Sequence, residues 1–165
     1  MTPSAFVAQC RAQTPLGPMT LAATEAGLAG AWFDAQAHHP GELQAPVQPA
    51  QRWLMQARQE LAEYFAGQRQ RFSVPLDPQG TPFQQAVWQA LLRIDCGQLG
   101  RYGELAQQLG KPAAARAVGA AVGRNPISII VPCHRVVGQD GSLTGYAGGL
   151  PRKQALLQLE GAALA

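Results

Sequence analysis

The stretch NPISIIVPCHRVVGQDGSLTGYAGG, residues 125–149, places a reactive thiol where an apolar run breaks. The β-branched residues within 127–131 predict a buried strand. The proline that follows has no N–H to donate, so it ends the pairing of that strand. Cys133, His134 and Arg135 come next. A thiol, an imidazole and a guanidinium therefore stand side by side at the predicted end of the strand.

Turn-forming residues follow this triplet. Val136 and Val137 predict a second, short strand, and residues 138–141 carry a turn signal. The glycines of GYAGG, residues 145–149, predict a flexible loop. The triplet is therefore expected between two short strands and next to a glycine loop.

The order of the triplet indicates nucleophilic chemistry at Cys133. A thiol attacks as its thiolate, and a neighbouring base or positive charge favours that form; His134 and Arg135 are the candidates. Neighbouring side chains of an extended chain point to opposite faces, so a bound water could carry the proton between Cys133 and His134. The alternative is a buried structural cysteine beside a hydrogen-bonded histidine. That alternative leaves the proline, the arginine and the glycine loop unexplained.

The run IIVPCHRVVG (129–138), with NP before it and GYAGGL after it, closely resembles the active-site segment of the O6-alkylguanine-DNA alkyltransferases. These are the methylated-DNA–protein-cysteine methyltransferases of direct DNA repair. The resemblance is strongest over residues 81–161 and weaker before them, and the pentapeptide PCHRV with its flanks is highly specific. It implies transfer of an alkyl group from O6 of a damaged guanine to the protein's own cysteine.

Length and composition fit a packed globular protein of one or two domains. The chain has 165 residues, of which 47% are hydrophobic and 14% charged, and this composition is unlike that of disordered proteins. Its formal net charge of +3 and sequence pI of about 9.0 permit a nucleic-acid partner without demonstrating one.

The three cysteines, Cys10, Cys96 and Cys133, form no CxxC pair and predict neither a disulfide framework nor a zinc knuckle. Residues 1–13 lack the basic head and apolar run of a signal peptide. No run of about eighteen apolar residues predicts a membrane span. A reducing cytosol is the natural setting for a working free thiol, so we expect a cytoplasmic protein. We also expect a monomer without a cofactor or a bound metal.

Residues 1–78 predict a small α/β domain with a structural role. Strands are expected at 5–10, 19–23, 28–33 and 72–76, with a turn at 25–27. A helix is expected at 51–66, because apolar residues recur at every fourth position and a glycine ends the pattern. His38 and His39 lack a third ligand at a helical spacing, so a solvated loop is expected there rather than a metal site.

Residues 79–165 predict a mostly helical domain. Thr81 is a good N-cap, Pro82 suits the first helical position and Gln84 completes a capping box, so a helix begins there. A last helix is expected at 150–160. The helix dipole disfavours a carboxylate at its C-terminal end, so Glu160 in that position hints at a partner.

Between these helices the sequence predicts a helix-turn-helix pattern, with helices at 103–109 and 113–123 around the turn GKP. The second helix is built mostly from alanine and glycine. Its small residues, Ala115 and Gly119 among them, let a backbone approach DNA or another helix closely. Arg116 and Arg124 are its long polar side chains, whereas base-reading helices normally carry several. We expect DNA binding with little sequence preference and strong salt dependence; the alternative is a buried packing helix.

The resemblance implies catalytic roles for five residues. Cys133 would be the alkyl acceptor, and His134 the general base acting through a water. Glu160, in LLQLEG, would orient His134, and Asn125, in the NP pair, would hold the active-site turn. Tyr102 would help to rotate the nucleotide out, hydrogen-bond the guanine ring and protonate the leaving guanine.

The resemblance also implies how DNA and the base are held. Arg116 would enter the base stack and fill the gap left by the flipped nucleotide. Main-chain carbonyls of Cys133 and Val136 would accept the exocyclic amine, and the N–H of Ala147 would face O6. The pocket residues implied are Val136, Tyr146, Ala147 and Gly148. Some relatives bind zinc in the N-terminal half, but only Cys10 is available there, so no zinc site is expected.

The implied fold is α+β. A small N-terminal α/β domain of RNase H-like type would be followed by a mostly helical C-terminal domain with a winged helix-turn-helix. The partner would be double-stranded DNA carrying O6-alkylguanine, with activity on O4-alkylthymine left open. A base inside a duplex must be flipped to reach a thiolate. The thioether product has no route back to a thiol, so one molecule would act once and be consumed.

Two other functions remain open from the residues alone. A Cys-His-Glu hydrolase acting on an ester or amide would use a similar relay but would turn over. A protein that binds alkylated bases without repairing them, or a transcription regulator, would need the DNA-binding elements alone. Relatives that only bind damage have lost the motif's cysteine, and Cys133 is present.

Overall fold

The computed structural model describes residues 6–163. The chain divides into two compact units, the first ending at Gln79 and the second beginning at Gly80. The first unit contains a three-stranded sheet and a helix, and the second is mostly helical. The α+β class expected from the sequence is confirmed. No helix within residues 6–163 has the length and apolar run needed to cross a membrane.

The sheet of the first unit is antiparallel, with strands β1 (Ala8–Ala12), β2 (Met19–Ala23) and β3 (Leu28–Phe33) in that order. Every residue of β2 and β3 is buried, so both faces of these strands are covered. Helix α1 (Arg52–Phe65) packs against the sheet, and Leu54, Ala57 and Leu61 are buried on it.

The strands β2 and β3 and the turn between them are confirmed at their expected positions. Strand β1 lies later than the expected 5–10, because it pairs with β2 as far as the match of Ala12 with Met19; Ala5 lies outside the described residues. Helix α1 begins after Gln51, whose side-chain oxygen accepts the N–H groups of Trp53 and Leu54 at 2.9 and 3.0 Å.

The strand expected at 72–76 is wrong. Leu76 forms a single bridge with Leu28, and no ladder extends from it within the described first unit. The N–H groups of Ser73 and Val74 donate instead to the carboxylate of Glu60, at 2.8 and 3.1 Å. A side chain has therefore taken the main-chain donors that a strand would need.

The second unit combines α-helices with two short strands, and a 3-10 helix at Cys133–Arg135 precedes its last strand. Its elements are α2 (Pro82–Leu91), β4 (Gly100–Arg101), α3 (Tyr102–Gln108), α4 (Ala115–Gly123), β5 (Val136–Val137) and α5 (Leu150–Leu159). The predicted capping box is confirmed, because Thr81 Oγ1 accepts the N–H of Gln84 while Gln84 Oε1 accepts the N–H of Thr81. Trp88 Nε1 donates to the carbonyl of Ala121 at 2.9 Å and joins α2 to α4.

Two short helices lie at the expected helix-turn-helix pattern with shifted ends. Helix α3 begins at Tyr102, and Arg101 before it makes no side-chain cap bond. Helix α4 begins at Ala115 rather than at residue 113, because the N–H of Ala114 closes the preceding turn on the carbonyl of Lys111. The short strands β4 and β5 pair in parallel, Gly100 with Val136, and so bring the chain after the triplet beside the start of α3.

Candidate active site

Asn125 builds the turn that precedes the triplet. Its Oδ1 accepts the N–H of Ile127 at 2.9 Å, and its Nδ2 donates to the carbonyl of Val131 at 2.8 Å. The strand expected at 127–131 is therefore wrong: the segment is a chain of tight turns, with Ile129 at φ +74°. The β-branched side chains are buried as predicted, but the amide of Asn125 holds their backbone in place of a neighbouring strand.

Cys133 begins a short 3-10 helix, Cys133–Arg135, and is buried with 5% of its surface exposed. The extended geometry assumed for Cys133 and His134 is therefore wrong, because the chain is already coiled at the thiol. Asn125 Nδ2 lies 3.1 Å from the Cys133 sulfur and donates to it. Burial raises the pKa of the Cys133 thiol to about 11, and this hydrogen bond acts in the opposite direction by favouring the thiolate.

His134, Arg135 and Glu160 form a buried cluster. His134 Nε2 lies 2.7 Å from Glu160 Oε2. The Arg135 guanidinium donates through Nε to Oε1 at 2.9 Å and through Nη2 to Oε2 at 3.0 Å, in the two-pronged geometry of a strong ion pair. The side chains of His134 and Glu160 are fully buried. Two side chains, His134 and Arg135, therefore surround the carboxylate that the helix dipole alone would disfavour at the end of α5.

The contacts of Arg135 differ from the role that the sequence suggested for it, which was to favour the thiolate form of Cys133. Its Nη1 donates to the carbonyl of Ile94 at 2.6 Å, and its Nε and Nη2 bind Glu160. The guanidinium therefore holds the Glu160 carboxylate in place, whereas Asn125 contacts the Cys133 sulfur directly.

The protonation state of His134 follows from its burial. Burial lowers the pKa of His134, and Glu160 opposes that effect by favouring the charged form. Since Nε2 faces a carboxylate, the hydrogen of a neutral imidazole lies on Nε2 and Nδ1 is left as an acceptor. His134 Nδ1 is buried and has no hydrogen-bond partner among the residues of 6–163.

The residues expected to line a pocket lie close to this cluster. The ring of Tyr146 meets that of His134 edge to face, with centroids 6.5 Å apart. Val136 and Gly148 are buried, and Ala147 between Tyr146 and Gly148 is half-buried. Burial raises the pKa of the Tyr146 hydroxyl well above its ordinary value, so this group stays neutral.

Tyr102 reaches the same region from the start of α3. Its hydroxyl lies 3.1 Å from Thr144 Oγ1, two residues before Tyr146. A Cβ placed on Gly119 would lie 3.7 Å from the Tyr102 ring, so α4 passes directly beside that ring. Arg116, one turn earlier on α4, is exposed.

The remaining expected DNA-facing residues lie on or after α4. Ala115 and Gly119 are half-buried, and Arg124, the C-cap of the helix, is exposed. Hydrogen bonds join Asn125 to Cys133 and His134 to Glu160, whereas no hydrogen bond within residues 6–163 joins Arg116 or Arg124 to this buried group.

Sequence reasoning missed Lys153. This residue of α5 is completely buried, and its Nζ donates to the carbonyls of Val136 and Thr144 at 2.6 and 3.0 Å. A signal was present, because Lys153 shares the spacing i, i+3, i+4 with the buried Leu156 and Leu157. A lysine at this spacing from two inward-facing leucines predicts a buried ammonium.

No group of three or more histidine, cysteine, aspartate or glutamate side chains within residues 6–163 is arranged to hold a metal ion. Cys10, Cys96 and Cys133 are free thiols. His39 Nδ1 accepts the N–H of Gly41, and its ring lies against Trp32. His38 is exposed in the same loop.

Two protein-family models match the chain. Residues 82–162 match the DNA binding domain of 6-O-methylguanine DNA methyltransferase, and residues 11–78 match its ribonuclease-like domain. Together the two matches span most of the chain.

Individual relatives match over most of their length. A methylated-DNA–protein-cysteine methyltransferase of Mycobacterium tuberculosis is 50% identical over 147 residues, covering 89% of this chain and 88% of the relative. A protein of the same name from Methanosarcina acetivorans is 46% identical over 149 residues, covering 90% and 95%. The crystal structure of the M. tuberculosis O6-methylguanine methyltransferase superposes with a TM-score of 0.83 at 48% identity, covering 93% and 92%. That of M. tuberculosis OGT in complex with DNA gives a TM-score of 0.86 at 48% identity, covering 94% and 93%.

Proposed function

The chain belongs to the 6-O-methylguanine DNA methyltransferase family and repairs DNA by methyl transfer to a cysteine, and we propose that Cys133 is that cysteine and that each molecule reacts once. The observation that carries this proposal is the buried relay at the thiol. Glu160 holds His134 Nε2 at 2.7 Å and leaves Nδ1 without a partner among the described residues. An acceptor nitrogen is therefore fixed one residue after the thiol.

The buried thiol needs a base at the moment of reaction. Its pKa of about 11 keeps Cys133 protonated near neutral pH. The lowered pKa of His134 keeps the imidazole neutral and able to accept a proton. A water between the sulfur and Nδ1 would carry the proton, and Glu160 would then stabilise the imidazolium.

The transfer itself is a displacement at the methyl carbon. The sulfur–carbon bond forms as the bond between that carbon and O6 of guanine breaks, and the electron pair of the broken bond stays with the guanine. The Tyr102 hydroxyl supplies a proton to the leaving base and is reprotonated from solvent, while His134 releases its proton to solvent. The product is a neutral thioether, which is a poor leaving group and has no ready route back to the thiol, so the enzyme is consumed.

The DNA would lie against α3 and α4, which we assign as a helix-turn-helix with residues 138–145 as its wing. The exposed face of α4 consists of Arg116, Ala117 and Ala120. Small side chains there, with Ala115 and Gly119 beside them, would let the helix approach the duplex closely without reading its sequence. Arg116 would fill the gap left by the flipped nucleotide, and Arg124 would contact a phosphate.

The flipped guanine would enter the space bordered by Val136 and by the loop that carries Tyr146, Ala147 and Gly148. The edge-to-face contact between Tyr146 and His134 supports this placement, because it sets one wall of the space beside the relay. The carbonyl of Val136 accepts one hydrogen bond already, and its second lone pair could accept the exocyclic amine.

The first unit has a structural role in this proposal. We assign residues 1–78 to an RNase H-like domain and residues 79–165 to the domain that binds DNA and transfers the alkyl group. The matches to a ribonuclease-like and a DNA-binding family model support this division. A free, working thiol suits the reducing cytoplasm, and we propose that the protein acts there as a monomer.

The test is transfer from a duplex containing one O6-methylguanine with a deuterated methyl group. Wild type, Cys133→Ser, Cys96→Ser and Cys10→Ser would be compared by peptide mass mapping after equal exposure. We expect the label on the peptide of residue 133 in all proteins except Cys133→Ser, in which no label is found. Label found on Cys133→Ser would show that another residue accepts the methyl group. A parallel duplex with O4-methylthymine shows whether a pyrimidine is accepted.

A further inference from the structure

The hydroxyl of Tyr102, to which the proposed function assigns the proton for the leaving base, has a side-chain partner in the structure. Tyr102 OH lies 3.1 Å from Thr144 Oγ1. No other hydrogen-bond partner of either hydroxyl lies within residues 6–163. The two residues are 42 positions apart in the chain, so the contact exists only in the folded protein.

The position of Thr144 is fixed by its own main chain and by the loop before it. Its carbonyl accepts a hydrogen bond from Lys153 Nζ at 3.0 Å. Earlier in the same loop, the carbonyl of Gln139 accepts Arg101 Nε at 3.2 Å, and Arg101 directly precedes Tyr102. The loop is therefore tied to the start of α3 at two points, through Gln139 and through Thr144. The threonine hydroxyl can leave the phenol only if these contacts change as well.

The ring of Tyr102 is confined from another side. Helix α4 passes beside it, because a Cβ placed on Gly119 would lie 3.7 Å from the ring. The tyrosine is half-buried, and its hydroxyl is the end that meets the loop. Helix α4 therefore bounds the ring, while Thr144 holds its polar end.

The direction of this hydrogen bond decides whether Tyr102 can act as an acid. Both hydroxyls carry one hydrogen and can also accept, so either can be the donor of the pair. If Tyr102 donates to Thr144, the phenolic hydrogen is occupied. If Thr144 donates to Tyr102, the phenolic hydrogen is left for the base. A guanine that accepts this hydrogen selects the second arrangement, because the hydrogen of Thr144 then finds the phenol oxygen as its acceptor.

The same bond strengthens as the proton leaves. When the phenol gives its proton to the departing guanine, its oxygen becomes negative, and a hydrogen bond to an ionised acceptor is about twice as strong as one between neutral groups. An interaction that is stronger in the transition state than in the ground state raises the rate of the chemical step rather than the affinity. The threonine keeps its own proton throughout, and solvent reprotonates the phenol afterwards.

We propose that Thr144 is a positioning residue for Tyr102: its hydroxyl donates to the phenol oxygen, leaves the phenolic hydrogen for the guanine and stabilises the phenolate that remains. The assignment rests on the proposed function, in which Cys133 accepts the methyl group. It separates protonation of the leaving base from activation of the thiol, because no hydrogen bond within residues 6–163 joins Thr144 to Cys133 or His134.

The test compares Thr144→Val and Thr144→Ala, which remove the hydroxyl, with Thr144→Ser, which keeps it. The matched control is Thr14→Val, since Thr14 is a half-buried threonine of the first unit whose hydroxyl donates to the carbonyl of Gly17 at 2.7 Å. Single-turnover transfer is measured over a range of concentrations of a duplex containing O6-methylguanine. Duplex affinity is measured by fluorescence anisotropy in a Cys133→Ser background.

We expect the maximal rate constant of Thr144→Val and Thr144→Ala to fall about 5- to 30-fold, the scale of one hydrogen bond to a charged group. Thr144→Ser should stay within about threefold of wild type because it keeps the donor, and Thr14→Val should transfer at the wild-type rate. Duplex affinity should change by less than about twofold in every variant, because the bond strengthens only during the reaction.

Two further measurements separate an action through Tyr102 from a structural effect. In a Tyr102→Phe background the phenol oxygen is gone, so Thr144→Val should cause no further slowing. Methylation of Cys133 by iodomethane, followed by peptide mapping, forms the same sulfur–carbon bond but releases iodide, which needs no proton. Its rate should therefore be equal in Thr144→Val and wild type.

Three results would each overturn the role of Thr144 while label on wild-type Cys133 upholds the proposed function. They are a wild-type transfer rate in folded Thr144→Val and Thr144→Ala, additive slowing in the Tyr102→Phe background, and slower methylation of Thr144→Val by iodomethane. Absence of label on wild-type Cys133 would instead overturn the proposed function itself. Thr144→Ala keeps the test available should Thr144→Val unfold.

Discussion

Each unit of the molecule buries a glutamate carboxylate, Glu60 in the first and Glu160 in the second, and the two carboxylates have different partners. Glu60 accepts main-chain N–H groups of Ser73 and Val74, together with the Gln56 amide, and Arg69 lies 3.9 Å from its carboxylate. Glu160 also pairs with an arginine, Arg135, but its other partner is an imidazole, that of His134. Backbone amides do not change protonation, whereas an imidazole does. The same residue type thus anchors a loop in one unit and can support proton transfer in the other.

The comparison extends to the surroundings of the carboxylates. The buried side chains of β2 and β3 are apolar except for that of Thr20. The second unit packs a thiol, an imidazole, a guanidinium and an ammonium within the segment 133–153, all buried. Buried charge that the fold does not need is a signature of function, and it is concentrated around Cys133.

The largest effect should follow from Glu160→Gln. The amide leaves Arg135 buried without its anion and removes the group that stabilises the imidazolium of His134. We expect the single-turnover rate to fall by about 10²-fold or more and the free energy of unfolding by about 3–5 kcal/mol. The transfer rate is measured by rapid-quench kinetics, and the free energy of unfolding by urea titration. An unchanged rate in folded Glu160→Gln would remove the carboxylate from the relay.

Arg116→Ala should have the next largest effect, and it tests the surface of the second unit rather than its buried charges. Without the arginine the gap left by the flipped nucleotide stays open, at a cost of a few kcal/mol. We expect transfer from duplex to slow by about 10- to 100-fold, while reaction with free O6-methylguanine base stays at the wild-type rate. Equal slowing of both reactions would show that Arg116 acts on the site itself and not on the duplex.

Glu60→Gln is the matched counterpart of Glu160→Gln in the first unit. It weakens the acceptor for two buried main-chain N–H groups, so the free energy of unfolding should fall by about 1–3 kcal/mol. The transfer rate should remain within about twofold of wild type at a temperature where the variant is folded. Slowing comparable to that of Glu160→Gln would contradict the separation of roles between the two carboxylates.

A smaller effect should appear on acidification. Burial lowers the pKa of folded His134 below its ordinary value, so below about pH 6.5 the unfolded chain binds more protons than the folded chain. The stability that this residue contributes is present above the unfolded pKa and is lost as the pH falls through the folded pKa. Urea titrations of wild type and His134→Gln should therefore differ in their acid slope. Identical slopes would place the folded pKa of His134 at its unfolded value.

Much of the first unit and of α2 could be predicted from sequence because local signals decided them. The mainly apolar runs of β2 and β3, the turn between them and the Thr81–Gln84 capping box require no information from distant residues. The strand expected at 72–76 failed because Glu60, on another element, took its amides. A pattern within a segment does not reveal a competitor elsewhere in the chain.

In the candidate site, too, the sequence pattern of one segment did not reveal the partners that other parts of the chain supply. The motif identified Cys133, His134 and Glu160 as candidates, and the structure joins the last two by a hydrogen bond. The β-branched run before Cys133 predicted burial correctly but conformation wrongly, because a single amide, Asn125, replaced a whole neighbouring strand. Lys153 was missed because its carbonyl partners become its neighbours only after folding.

The measurement that tests the central claim most directly is intact-protein mass spectrometry with an excess of duplex containing O6-methylguanine. The account predicts that the protein gains one methyl group, on the peptide of Cys133, and that the amount of repaired duplex stops at one equivalent per protein. Continued repair with an unmodified protein would contradict single-turnover transfer to Cys133. A duplex that binds and stays methylated would contradict transfer by this site altogether.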